Sequence, residues 1–265
     1  MTSVNIKKHF RNLLLITLLL FITISIILLP SCTKSAGTSD IKLSGQIDNG
    51  GGLYLFDYKK IDIESTSSIG AEIKNCNVYL DLYGDLIFHG ELENTNRNTK
   101  TDIEITLSFI DRSGESILEA IIPIPVNYLQ SGAKYPFRFY FKDRQKYIEI
   151  LKIKTGVNYK EFNKTFKGNP IVEIEDYFYR DQYLIIQGRA INLGKEKIKN
   201  LKLLCTFYND RDKVVFIKEC YLKRAKMMPS EEQVFTLEIL LDEYLEEFTH
   251  YEFEMFFEDE TRVSA

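Results

Sequence analysis

Gly188-Arg-Ala-Ile-Asn-Leu-Gly-Lys-Glu-Lys-Ile-Lys-Asn-Leu-Lys-Leu-Leu-Cys-Thr-Phe207 is the second of two copies of one pattern; the first, 98 positions upstream, is Gly90-Glu-Leu-Glu-Asn-Thr-Asn-Arg-Asn-Thr-Lys-Thr-Asp-Ile-Glu-Ile-Thr-Leu-Ser-Phe109. The glycine and asparagine that open the stretch recur as Gly90 and Asn94, then Gly188 and Asn192. Ile103, Ile105, Leu107 and Phe109 become Leu201, Leu203, Cys205 and Phe207. The register extends without a gap over about seventy residues. Ile73 falls on Ile171, Tyr79 on Tyr177, Leu86 on Leu184, Phe88 on Ile186, and Ile117 on Val215. Phe137, Phe139 and Phe141 fall on Phe235, Leu237 and Ile239. Character is kept more than identity, as burial alone requires. A repeat of this length is a whole domain rather than a solenoid unit.

Within each copy the apolar period is two. Ile103, Ile105, Leu107 and Phe109 alternate with Glu104, Thr106 and Ser108, the pattern of a strand with one buried face. The second copy does the same, except that Leu204 places an apolar residue on the other face. Asp111-Arg-Ser-Gly114 and Asn209-Asp-Arg-Asp212 are turn formers and join each run to the next as a hairpin. About six strand candidates per copy, and no amphipathic helix longer than two turns, predict an all-β chain. The expected architecture is two tandem antiparallel immunoglobulin-like β-sandwiches.

Leu107-Ser-Phe-Ile-Asp111 and Cys205-Thr-Phe-Tyr-Asn209, with Ser131-Gly132 and Pro229-Ser230 at a later turn, resemble the bacterial FxLYD-type immunoglobulin-like domain family. The resemblance covers most of residues 72–260. It implies a cell-surface or secreted interaction domain, with no catalytic residues to carry over.

The start of the chain predicts export. Lys7, Lys8 and Arg11 precede an apolar run from Leu13 to Leu29 that only Thr and Ser interrupt. Leu29-Pro-Ser-Cys32 then resembles the lipobox of bacterial lipoproteins, which needs a thiol for acylation and a small residue before it. Residues 1–31 read as a lipoprotein signal peptide and Cys32 as the lipid attachment site, anchoring the protein to the bilayer on the extracytoplasmic face. The other reading is an uncleaved membrane helix. Thr33, where aspartate would signal inner-membrane retention, points to the outer membrane where one exists, and to the cell membrane otherwise.

Residues 32–70 are expected to hold a small polar tether (Thr33 to Ser39), then either an extra hairpin or a partly ordered lead-in around Gly50-Gly-Gly52. The first β-sandwich is expected over 71–156, a linker punctuated by Gly168, Asn169 and Pro170 over 157–170, and the second over 171–260. Removing residues 1–31 shifts the net charge from −4 to about −7, which argues against nucleic acid as a partner. With 27% charged and 45% hydrophobic residues the composition is that of a globular protein with material for two cores.

No constellation for catalysis stands out, and no cofactor or metal is expected. His89 is out of phase with the apolar residues of its strand and reads as solvent-facing rather than as a ligand. His250 lies in an acidic stretch. Cys205 and Cys220 replace Leu107 and Ile122, so both read as small core residues, as does Cys76. The hairpin sets Cys205 opposite roughly Ile217, so a disulfide to Cys220 needs a bulge or a register shift. Asp210-Arg-Asp212 with Asn209 offers too few oxygens for calcium and reads as turn chemistry.

The functional expectation is a noncatalytic lipoprotein presenting two domains to an extracytoplasmic protein of the envelope. The alternative is a ligand-binding lipoprotein accessory to a transporter, and the chain's 16 Tyr and 18 Phe are enough to line a pocket. A charge asymmetry accompanies the repeat. Residues 236–260 carry ten carboxylates and no Lys or Arg, whereas residues 134–154 carry seven basic residues against Asp143 and Glu149. These are either solvated edges or complementary faces, within the molecule or head to tail.

Overall fold

A computed structural model describes residues 46–48, 53–65, 67–81, 83–163, 165–241 and 248–259. The signal peptide, Cys32, the tether and Gly50-Gly-Gly52 lie outside the described residues. Residues 43–265 belong to one structural unit.

The chain is nearly all strand, as the period of two predicts. In order, the strands are β1 (Gln46–Asp48), β2 (Leu53–Leu55), β3 (Asp62–Glu64), β4 (Ser67–Ser68), β5 (Ala71–Leu80), β6 (Leu86–Glu93), β7 (Thr99–Asp111), β8 (Ser116–Pro123), β9 (Lys134–Phe141) and β10 (Ile150–Phe162). They continue as β11 (Pro170–Arg180), β12 (Tyr183–Asn192), β13 (Ile198–Tyr208), β14 (Val214–Cys220), β15 (Lys226–Met227), β16 (Glu232–Leu240) and β17 (His250–Asp259). A single turn of α-helix, α1 (Arg144–Tyr147), and a 3-10 turn at Tyr58–Lys60 complete the described elements. Strands β1 and β2 pair antiparallel.

The 98-residue offset carries β5 to β10 onto β11 to β14, β16 and β17. In the first copy the sheets run β4-β5-β6-β9 and β3-β10-β7-β8. In the second they run β11-β12-β16 and β14-β13-β17, with β15 also on β13. One buried cluster takes Ile73, Leu86, Phe88 and Phe137 from the first sheet of its copy, and Ile105, Leu107, Phe109 and Ile153 from the other. The second copy repeats this with Leu184, Ile186, Phe235 and Leu237 against Leu203, Cys205, Phe207 and Val215. Phe109 and Phe207 are both fully buried.

Repeated polar residues turn out to be structural. Asn94 donates from Nδ2 to the carbonyls of Asn98 and Leu129 at 2.8 and 2.9 Å, and its Oδ1 accepts from Asn96 N. Asn192 donates to the carbonyl of Glu196 at 2.8 Å and accepts from Gly194 N at 3.0 Å. Each closes the loop between two strands that belong to different sheets. The glycines make room for a ring. A Cβ on Gly90 would stand 2.8 Å from Phe137 Cζ, and one on Gly188 2.8 Å from Phe235 Cζ.

Three expectations change. The linker is shorter at its start, because β10 continues through Phe162 in register with Thr99 at the far end of β7. Cys205 lies opposite Lys218, and Leu203 opposite Cys220; a bulge between Phe207 and Tyr208 moves the pairing by one residue from that expected. The third concerns β6, which is buried on both faces rather than one.

Candidate functional site

The second burial of β6 comes from the other copy. Tyr79, His89 and Glu91 point away from their own core, and residues of β13 and β14 lie against them. Tyr79 donates its hydroxyl to the carbonyl of Val215 at 3.2 Å. Glu91 accepts from Tyr208 through one carboxylate oxygen and from Asn75 Nδ2, at 2.7 Å, through the other. Leu204, the apolar residue on the wrong face of its strand, is 4% exposed and belongs to the cluster of the first copy, as does Phe256. Phe256 packs on Tyr135 with ring centroids 5.2 Å apart. The irregularity at Leu204 was the sequence signal for this contact.

His89 is therefore not solvent-facing: it is 2% exposed. Its ring packs edge-on against Tyr79, 5.4 Å between centroids, and Nδ1 has no hydrogen-bond partner. Burial, and then the charge of Arg138, pull its pKa down to about 3, so it is a neutral ring near pH 7. Strand alternation places it outward from its own core correctly, but outward here means toward the second copy.

Charge crosses the junction in one place among the described ion pairs. Lys134 on β9 meets Glu252 on β17 at 3.0 Å. Glu254 stands on the same face of β17, and burial lifts its carboxyl to about 7. The basic residues of β10 pair elsewhere: Lys152 with Asp62 and Glu64, at 3.3 and 3.2 Å. Lys146, Lys152 and Lys154 thus find their acids within the first copy, and Glu238 its arginine, Arg180, within the second.

The remaining candidates have structural employment. Cys76, Cys205 and Cys220 are buried free thiols. Burial raises all three, Cys220 to about 12, so none is a thiolate nucleophile near neutrality. Asn209 accepts from Arg211 N and Lys213 N at 3.0 Å, and Asp111 accepts from Ser113 N and Glu115 N in the same turn of the first copy. His250 stacks on Tyr208, ring centroids 4.9 Å apart, and lies 3.6 Å from Asp212. Among the described residues no three His, Cys, Asp or Glu side chains gather as metal ligands, and no helix is long and apolar enough to cross a membrane.

The open feature is a cleft of about 610 Å3 along β17. Tyr251 and Phe253 to Phe257 line it on one side, Val172 and Ile174 of β11 on another, and the Gln130 to Ala133 turn of the first copy on a third. Both parities of β17 reach it, so the cleft exposes the margin of the strand rather than one of its faces. Nothing in the sequence pointed to this cleft, because among the described residues it forms where the second copy lacks a strand that the first copy has.

No family model matches the sequence, and no curated protein matches it. Among solved structures, a crystal structure of red sea bream transglutaminase aligns over 71% of this chain and 29% of its own, at 7% identity and a TM-score of 0.23.

Proposed function

We propose that the protein is a membrane-anchored, noncatalytic lipoprotein that presents two immunoglobulin-like β-sandwiches to a protein partner of the cell envelope. The anchor is the acylated Cys32 that follows the signal peptide at residues 1–31. One observation carries the noncatalytic part. Among the described residues, the polar side chains that recur in the repeat are committed to holding the fold: Asn94 and Asn192 close loops, and Asp111 and Asn209 close turns. Glu91 bonds Tyr208 across the junction. The repeated strand order, two sheets about one cluster in each copy, favours the sandwich reading.

Two measurements test this. Fatty-acid labelling in the bacterium should mark the wild type and not Cys32→Ser; equal labelling of both would remove the anchor. Crosslinking on intact cells should then trap the wild-type protein with a defined envelope protein. Dose-dependent thermal stabilisation by a sugar or lipid head group, with no protein trapped, would favour a ligand-binding accessory of a transporter instead.

A further inference from the structure

The two copies differ at one sheet margin. In the first copy β10 is not an edge, because β3 pairs with it in parallel, setting Asp62, Ile63 and Glu64 opposite Lys152, Ile153 and Lys154. Ile61 enters the first cluster, and Phe56, Tyr58 and Ile63 pack against it. The 98-residue offset carries residues 56–64 onto 154–162, which are already in use as β10. Among the described residues the second copy therefore has no lead strand of its own. Among the described residues β17 pairs with β13 alone.

The empty place has consequences for burial. Ile153 and Thr155 of β10 are buried, whereas their counterparts Tyr251 and Phe253 are half-exposed. Tyr177 and Tyr179 of β11, on the side facing β17, are 60% and 62% exposed. A strand paired like β3 would lie beside residues 250–252, and the cleft starts there, at Tyr251, and runs on past Phe253 to Phe257. A bare edge presents unpaired backbone groups and is ordinarily shielded.

Charge says what kind of strand would fit. The outward residues of β10 are Lys152 and Lys154, and the strand beside them is acidic. Their counterparts on β17 are His250 and Glu252, followed on the same face by Glu254. Glu252 and Glu254 both depend on Lys134 for counter-charge. We propose that the margin of β17 docks an extended peptide of a partner protein, added as a further strand, in which apolar residues alternate with basic ones. The apolar side chains enter between Tyr251, Phe253 and Ile174; the basic ones meet Glu252 and Glu254. Backbone pairing supplies affinity and the alternating side chains supply selectivity. The proposal rests on the protein being a binding module, and can fail while acylation and crosslinking succeed.

The test uses the full chain and a capped peptide with the repeat Lys-Ile-Lys-Ile-Lys, beside a sibling with Glu in place of Lys. The Lys peptide is expected to bind at least about tenfold tighter, and to slow amide exchange at residues 251–257. Glu252→Gln combined with Glu254→Gln should abolish most of that preference while the thermal transition shows the fold intact. Equal binding of both peptides, a preference that survives the double substitution, or binding without slowed exchange would overturn the proposal. So would exchange at 251–257 that is already slow without peptide, since the chain's own residues would then fill the edge.

Discussion

Ser230 occupies a backbone conformation that suits glycine better than serine. Its φ is +61°, and its counterpart in the first copy is Gly132, at +76°. Both backbone amides make the same bond, to the carbonyl of Asn192 or Asn94, at 2.8 Å. A left-handed residue with a Cβ costs about 1–2 kcal/mol, so Ser230→Gly should stabilise by about 1 kcal/mol and Gly132→Ser destabilise by a similar amount, as read in denaturant unfolding. The strand glycines Gly90 and Gly188 behave in the opposite sense. At Gly188 a Cβ would lie 2.5 Å from the carbonyl oxygen of Glu173, which cannot rotate aside, whereas at Gly90 the nearest atoms belong to the side chains of Phe137 and Cys76. Both alanine variants should lose about 1–3 kcal/mol, Gly188→Ala the more. At this scale the sequence was half legible. Recurrence marked Gly90, Asn94 and their partners as special, but the ring above each glycine and the second carbonyl that each asparagine meets come from chain segments about 35–47 residues away.

At the scale of elements, β6 and β17 both stand at the junction, and each holds a group there that titrates in the opposite sense to the other's. His89 is held at about 3 against an ordinary 6.5, so between those values the unfolded chain binds the proton and the native one does not. Stability from this group is lost as pH falls through that window. Glu254 is raised to about 7 from 4.5, so the native state holds the extra proton, and stability is lost as pH rises from 4.5 to 7. His89→Gln, which installs the residue found at Gln187, should flatten the acid limb of a pH series of urea midpoints. Glu254→Gln should raise the midpoint most at pH 8. An unchanged acid limb in the first variant would mean that His89 is not what the acid attacks. Strand identity and order were legible from the period of two, since inward positions need only be apolar. The burial of β6 on its second face was not, because Glu91 and His89 are polar and give no sign of burial until their partners are placed.

For the whole molecule, the repeat predicts two independent domains, whereas the shared burial of Leu204 and Phe256 in the cluster of the first copy couples them. Phe109→Ala and Phe207→Ala should each cost about 3–5 kcal/mol and lower one common transition; two separable transitions in calorimetry would show that the junction is weak. The junction also uses unlike surfaces. The β5-β6-β9 sheet of one copy meets the β13-β14-β17 sheet of the other, so the relation between copies is not a two-fold one. The surface of the second copy that matches the covered β5-β6-β9 sheet is open among the described residues: Val234, counterpart of the buried Pro136, is 74% exposed. A dimer closed by two-fold symmetry has no place for a third member, but two unlike surfaces in contact do not close on each other. Duplicating the same stretch of gene once more would add another unit by the same rotation and step, lengthening a rod without redesigning any contact already made.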